Sequence, residues 1–219
     1  MKRHQSGFTL IEIAIVLVII GLLLGGVLKG QELINSAKVK NLATDFKNVP
    51  VFIYGYQDKF KALPGDDAAV VAHVNGTLAT TPGAATNRGN GIIEGAWNSS
   101  TATDESVLFW QHVRLAGLAP GETTVSVAAG NTYIPKNAVG GTLGITNSGT
   151  NLPITGLKGS YIVCSSSIAG KFAKQLDTTM DDSNTEAGSM RVLDPVAAPT
   201  AIATTDIDDD TPYTVCMGF

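Results

Sequence analysis

The chain has 219 residues, enough for one membrane-length segment and one modest domain that buries its own core. Its 24 glycines, with many Thr, Ser and Asn, favour strands, turns and loops over a helical bundle. A net charge of −4 and the lack of a basic stripe argue against a nucleic-acid partner.

The first thirty residues differ sharply from the rest. Lys2, Arg3 and His4 form a short basic head, and the run 8–28 carries no charge except Glu12. Its 21 residues make about 30 Å of helix, one crossing of the hydrocarbon core. A secretory signal peptide fits poorly, because the apolar run exceeds about 15 residues and no A-x-A site follows it. A plain anchor fits the length but leaves Glu12 unexplained, since an unpaired charge in lipid costs about 2.5 kcal/mol or more.

The stretch Gly7-Phe8-Thr9-Leu10-Ile11-Glu12 follows a basic leader and precedes an uninterrupted apolar run. In that order it resembles the processing site of type IV pilins and type II secretion pseudopilins. The resemblance implies that residues 1–7 are a leader, cut by a prepilin peptidase between Gly7 and Phe8, and that Phe8 is then N-methylated. It further implies that Glu12 pairs with the Phe8 amine of a neighbouring subunit as a filament grows. Such a pair relieves two charges in lipid and fixes the axial register. The alternative is that Glu12 neutralises the amine of its own helix, one turn away. Leader removal takes Lys2 and Arg3 with it and moves the net charge from −4 to −6.

The same resemblance implies a structural subunit of a type IV pilus, in a homo-oligomeric filament with other pilins and built by a pilus assembly machinery. The precursor would be a single-pass inner-membrane protein and the product an extracellular filament serving adhesion or twitching motility. The runner-up is a pseudopilin of a type II secretion system, in a periplasmic pseudopilus. A membrane-anchored binding domain is the third reading and requires that SGFTLIE is never cut.

Farther along, apolar residues fall at Leu42, Phe46, Val49, Ile53, Tyr56 and Phe60. Steps of 4, 3, 4, 3 and 4 keep all six on one helical face. The pattern predicts one helix over 8–61, roughly 80 Å long, apolar all round at first and striped thereafter to dock on a globular head. LPGDD at 63–67 ends it. Pro50 lacks an N–H, which predicts a kink over 46–50. Gly21/Gly25 and Gly26/Gly30 have the G-x-x-x-G spacing that lets helices approach closely. No proline precedes Pro50, a departure from many type IV major pilins.

In the head, 62–219, Thr103-Asp104-Glu105 caps a short helix over SVLFWQHVRLAGL, with Trp110, Leu115 and Leu118 in the core and His112 on the surface. Residues 166–179 form a second amphipathic candidate, with Ile168, Phe172 and Leu176 spaced by four. TTVSVAA (123–129), TYIPKNA (132–138), GTLGITN (141–147), SYIVCSS (160–166) and YTVCMGF (213–219) read as strands of an antiparallel sheet. The expected fold class is α+β, a long N-terminal helix packed on a C-terminal antiparallel sheet, and the pilin resemblance implies the same architecture. Cys164 and Cys216 read as one disulfide of an exported domain, closing a loop of about 50 residues worth roughly 4 kcal/mol. Two buried thiols are the alternative. In pilins such a C-terminal bridge encloses an exposed variable loop.

Two acidic clusters stand out: Asp177, Asp181 and Asp182 with Asn184, and Asp206, Asp208, Asp209 and Asp210. Acidic oxygens in a loop can hold Ca²⁺, and the resemblance adds that major pseudopilins bind calcium in a C-terminal loop. Neither cluster matches the EF-hand pattern, so solvated surface charge is the simpler reading and Ca²⁺ is the one cofactor left open. NRGNGIIEG (87–95) offers Asn and Glu oxygens but reads as a turn. His4, His73 and His112 have no Cys or carboxylate at metal-ligand spacing. No G-x-S-x-G, P-loop or H-E-x-x-H occurs, and Ser165 to Ser167 beside Cys164 make no triad. No catalytic residue is assigned, and an enzyme is not expected.

Overall fold

The computed structural model describes residues 9–81, 87–128, 132–147 and 152–219. The chain divides into two compact units, Met1–Lys38 and Val39–Phe219. Helix α1 (Leu10–Phe60) runs through the described part of the first and opens the second. In the first unit the most apolar 18-residue window has a mean hydropathy of 2.8, and none of it is buried. By length and composition this is a helix able to cross a membrane.

In the second unit five of the six stripe residues read from the sequence lie on the buried face of α1, and the sixth, Phe60, is half-buried. Leu42, Phe46, Val49, Ile53 and Tyr56 are fully buried, joined by Val39 and Ala43. Burial of each large side chain contributes about 1.5–3 kcal/mol. All of these except Tyr56 form one core with Phe109 and Val113, and with Ile145, Val163 and Val215 of the sheet. Pro50 sits inside α1, which stays helical through it. The helix stops where Lys61 turns left-handed (φ 55°), and Pro64 follows shortly after.

Short helix α2 (Val70–Val74) and helix α3 (Glu105–Leu115) come next. Strands β1 (Leu143–Asn147), β2 (Tyr161–Ala169), β3 (Met190–Val192) and β4 (Pro212–Gly218) form an antiparallel sheet in the order β1-β2-β4-β3, with helix α4 (Gly170–Met180) following β2. The class is therefore α+β, with the second half of the long helix packed on a four-stranded antiparallel sheet. Cys164 and Cys216 are partners across β2 and β4, their Cα atoms 4.1 Å apart, and they are disulfide-bonded. The two-thiol alternative is excluded.

Several local expectations are corrected. Residues 166–169 belong to β2 rather than to a helix, because Ile168 and Ala169 pair with Tyr213 and Pro212. Phe172 and Leu176 do lie on the buried face of α4. TYIPKNA is not a strand: Pro135 lacks a donor, and Asn137 takes over the bonding. Its Nδ2 donates to Ser165 Oγ and Ser166 O, and its Oδ1 accepts from Val139 and Gly141. A single bridge, Lys136 to Thr142, remains. The described part of TTVSVAA, 123–128, is not a strand either, and the Gln111 side chain takes the Thr123 carbonyl.

Helix α3 is capped at Asp104 by position only, since that side chain makes no capping bond. All of α3 from Glu105 to Arg114 is buried, including His112, which is fully inaccessible rather than on the surface. His112 Nδ1 accepts from the Gly65 N–H at 2.9 Å, and its Nε2 faces the Thr77 carbonyl at 2.9 Å. Those partners require the neutral ring with its proton on Nε2. Burial lowers the pKa of this ring. Gly65, at φ 93°, permits the approach, because a Cβ there would strike the Glu105 carbonyl. Leu115, expected in the core, is 37% exposed, whereas Trp110 is buried.

Candidate functional site

At the N-terminal end the described residues begin at Thr9, so Gly7 and Phe8, the expected cleavage and methylation positions, lie outside them, as does His4. Glu12 has a local role that the sequence reading missed. The Thr9 N–H and Oγ1–H both donate to Glu12 Oε2 at 2.8 Å, and the Glu12 N–H reaches back to Thr9 Oγ1 at 3.3 Å. This is a reciprocal capping box, which satisfies donors that the start of a helix leaves free. The signal was present as T-x-x-E directly ahead of an apolar run. Gly21, Gly25, Gly26 and Gly30 have open space where a Cβ would stand, so none of the described residues occupies the grooves they make.

In the second unit the structure gathers Asp177, Asp181 and Asp182, whose ligand atoms all lie within 4.8 Å of one another. Helix α4 places them: Asp177 is in its last turn and Asp181 is its C-cap. Asp181 accepts from Ser189 Oγ at 3.1 Å and from the Met190 N–H at 2.8 Å, which ties the helix end to β3. Asp182 accepts from the Asn184 N–H. Asp177 differs, being fully buried with both carboxylate oxygens free of any hydrogen bond. The Ser183 amide lies near enough to favour its charge slightly, but not in bonding geometry. Burial, reinforced by the charges of Asp181 and Asp182, pushes Asp177 up to about 7.

The second acidic run is not part of this cluster. Asp208 is held by its own turn, accepting from the Asp210 N–H, the Thr211 N–H and the Thr211 hydroxyl, which keep its pKa low. Asp209 and Asp210 pair with Lys174 and Lys171, and Asp206 accepts from the Thr205 hydroxyl.

Two loop motifs that the sequence reading kept apart come together. Asp66 of LPGDD accepts backbone N–H groups of Gly89, Asn90 and Gly91, so NRGNGIIEG clasps a carboxylate with its amides instead of offering its oxygens. Beside it Glu105 is buried and accepts the Glu94 N–H at 2.8 Å. Burial pushes Glu105 up to about 8, with Asp66 and Glu94 adding to the rise. Next along, Asp67 binds Tyr56 Oη and His73 Nδ1, each at 2.7 Å. Burial alone would raise Asp67, yet these bonds hold it below the usual carboxylate range.

Residues 2–28 match the family model described as the prokaryotic N-terminal methylation motif. That motif is the leader signature of type IV pilins and pseudopilins. It supports a substrate of the pilin or pseudopilin type and implies processing by a prepilin peptidase. Together with the apolar start of α1 it fits an inner-membrane-anchored precursor. No curated protein and no solved structure matches the chain.

Proposed function

We propose that the chain is a structural, non-catalytic subunit of a type IV pilus, cut between Gly7 and Phe8, methylated on Phe8 and polymerised through the N-terminal part of α1. The observation that carries this reading is the methylation motif over 2–28, set on a helix whose apolar surface is exposed on every face. Exposed apolar surface of that extent needs lipid or other protein around it. In the membrane lipid supplies this, and in a filament the neighbouring copies do. The open grooves at Gly21/Gly25 and Gly26/Gly30 suit close helix packing in either setting. Glu12, once Phe8 carries a free amine, is the nearest carboxylate that can pair with such an amine across a subunit contact.

Mass spectrometry of the mature chain from its native host tests the first step. A methylated Phe8 as the N-terminal residue supports the filament reading, and a chain still carrying Met1 overturns it in favour of a membrane-anchored binding domain. Shearing then separates the two filament classes. Recovery of the chain in long surface filaments supports the pilus, whereas a chain confined to the periplasm and needed for protein secretion supports the pseudopilin.

A further inference from the structure

We propose that Asp177, Asp181 and Asp182 form a calcium site at the junction of α4 and β3. Three observations converge on it. Asp177 is fully buried, and neither of its oxygens has a hydrogen-bond partner. Buried polar groups are nearly always satisfied, and a buried carboxylate without a partner calls for a cation or a proton. Its oxygens meet those of Asp181 and Asp182 within 4.8 Å, a spread that one Ca²⁺ spans at about 2.3–2.6 Å from each ligand.

The third observation is the place of the cluster on the helix. Asp177 and Asp181 sit in the last turn and at the cap of α4, where the helix dipole is negative and its final carbonyls lack partners. Three carboxylates there repel one another and the helix end alike, and the neighbouring charges acting on Asp177 are those of Asp181 and Asp182. A divalent cation reverses every one of these interactions and draws further oxygen ligands from the helix end. The donor set is oxygen alone, which suits a hard ion and disfavours zinc or copper. Gly188 (φ 70°) brings the loop against the Asp181 and Asp182 carboxylates where a Cβ would strike them, so 183–189 folds tightly over the site.

Occupancy would also be structural, since Asp181 already accepts from Ser189 and Met190 at the start of edge strand β3. The ion would lock the end of α4 to that edge. An affinity of roughly 10⁻⁴ to 10⁻³ M is expected for such a site outside the cytoplasm.

The test uses the full chain in detergent micelles, stripped with EDTA and titrated with CaCl₂ under calorimetry, with the unfolding temperature of the head followed in parallel. Saturable binding of one Ca²⁺ with a rise in that temperature is expected, and MgCl₂ at equal concentration should do less. Asp177→Asn should weaken binding on the order of tenfold or more, yet in EDTA it should unfold no lower than the wild type, because it removes a buried charge. Asp182→Ala, at an exposed position, provides the same affinity test should Asp177→Asn fail to fold. Absence of any shift up to about 10 mM Ca²⁺, or binding that both variants leave unchanged, overturns the proposal.

Discussion

Replacing Glu12 by Gln separates two jobs that one carboxylate can do. Its Oε2 accepts both the Thr9 N–H and the Thr9 hydroxyl at 2.8 Å, a cap worth about 0.5–2 kcal/mol. Gln serves at this position of a capping box as Glu does, because its amide oxygen accepts the same hydrogens. What Gln removes is the charge. If Glu12 neutralises the Phe8 amine of a neighbouring subunit, the substitution leaves a buried cation without a partner at a cost of about 3–5 kcal/mol. That corresponds to a loss of between about a hundredfold and a few thousandfold in subunit association. Thr9→Val provides the converse, removing the two hydroxyl bonds of the box while keeping the charge. The assay scores leader cleavage by N-terminal mass and filament yield by shearing and immunoblot in the native host. Glu12→Gln should be cut and methylated normally but lose its filaments, while Thr9→Val keeps most of them. The opposite pattern, with Glu12→Gln assembling normally and Thr9→Val failing, would refute the reasoning and make Glu12 a helix cap only.

Other expectations concern the head. Reducing the Cys164–Cys216 disulfide, which spans 52 residues of sequence, should cost about 4 kcal/mol in denaturant unfolding, and a loss below about 1 kcal/mol would show that the bridge constrains little. His112→Leu strands the Gly65 N–H and the Thr77 carbonyl and should lower stability by about 2–6 kcal/mol in the same measurement. Glu105, at about 8 in the folded chain against 4.5 as its ordinary value, stays protonated after the unfolded chain has released its proton. Its share of stability is therefore full below pH 4.5 and falls as pH rises towards 8. Glu105→Gln should flatten that decline, which thermal unfolding at several pH values across this window checks. An unchanged slope would mean that Glu105 is ionised in the native head.

How far the sequence reveals this fold depends on contrast. The stripe from Leu42 to Tyr56 was legible because one face of α1 is buried and the others are not. In α3 that contrast is missing. Glu105 through Arg114 are all buried, so His112 reads as surface although it, like Gln111 and Arg114, is bonded inside. Arg114 alone holds three carbonyls, those of Pro120, Glu122 and Tyr133, which shapes the loop that the sequence mistook for strands. Strand β3 has three residues, too few for alternation to register. LPGDD read as a helix stop and NRGNGIIEG as a turn, and nothing in local pattern says that Asp66 is what the second loop folds around.

Both carboxylates of interest occupy positions where an apolar residue would fit. Asp177 follows Phe172, Ala173 and Leu176 on the buried face of α4, at the place where the next core residue of the repeat would fall. Glu12 interrupts an apolar run long enough to cross a membrane. Position alone makes each of them costly, yet the two differ in what the fold supplies. Thr9 supplies Glu12 with two donors inside its own turn, so the geometry does not by itself demand an outside partner, and the case for one rests on the amine that cleavage creates. Among the described residues no donor meets Asp177 in bonding geometry, the nearby Ser183 amide included, and its acidic neighbours make its charge less tolerable. Whatever neutralises Asp177 must therefore come from solution, as a metal ion or as a proton, and these two leave opposite signatures. Acidification should stabilise a head that relies on the proton and should weaken one that relies on calcium, because protons and the ion compete for the same oxygens.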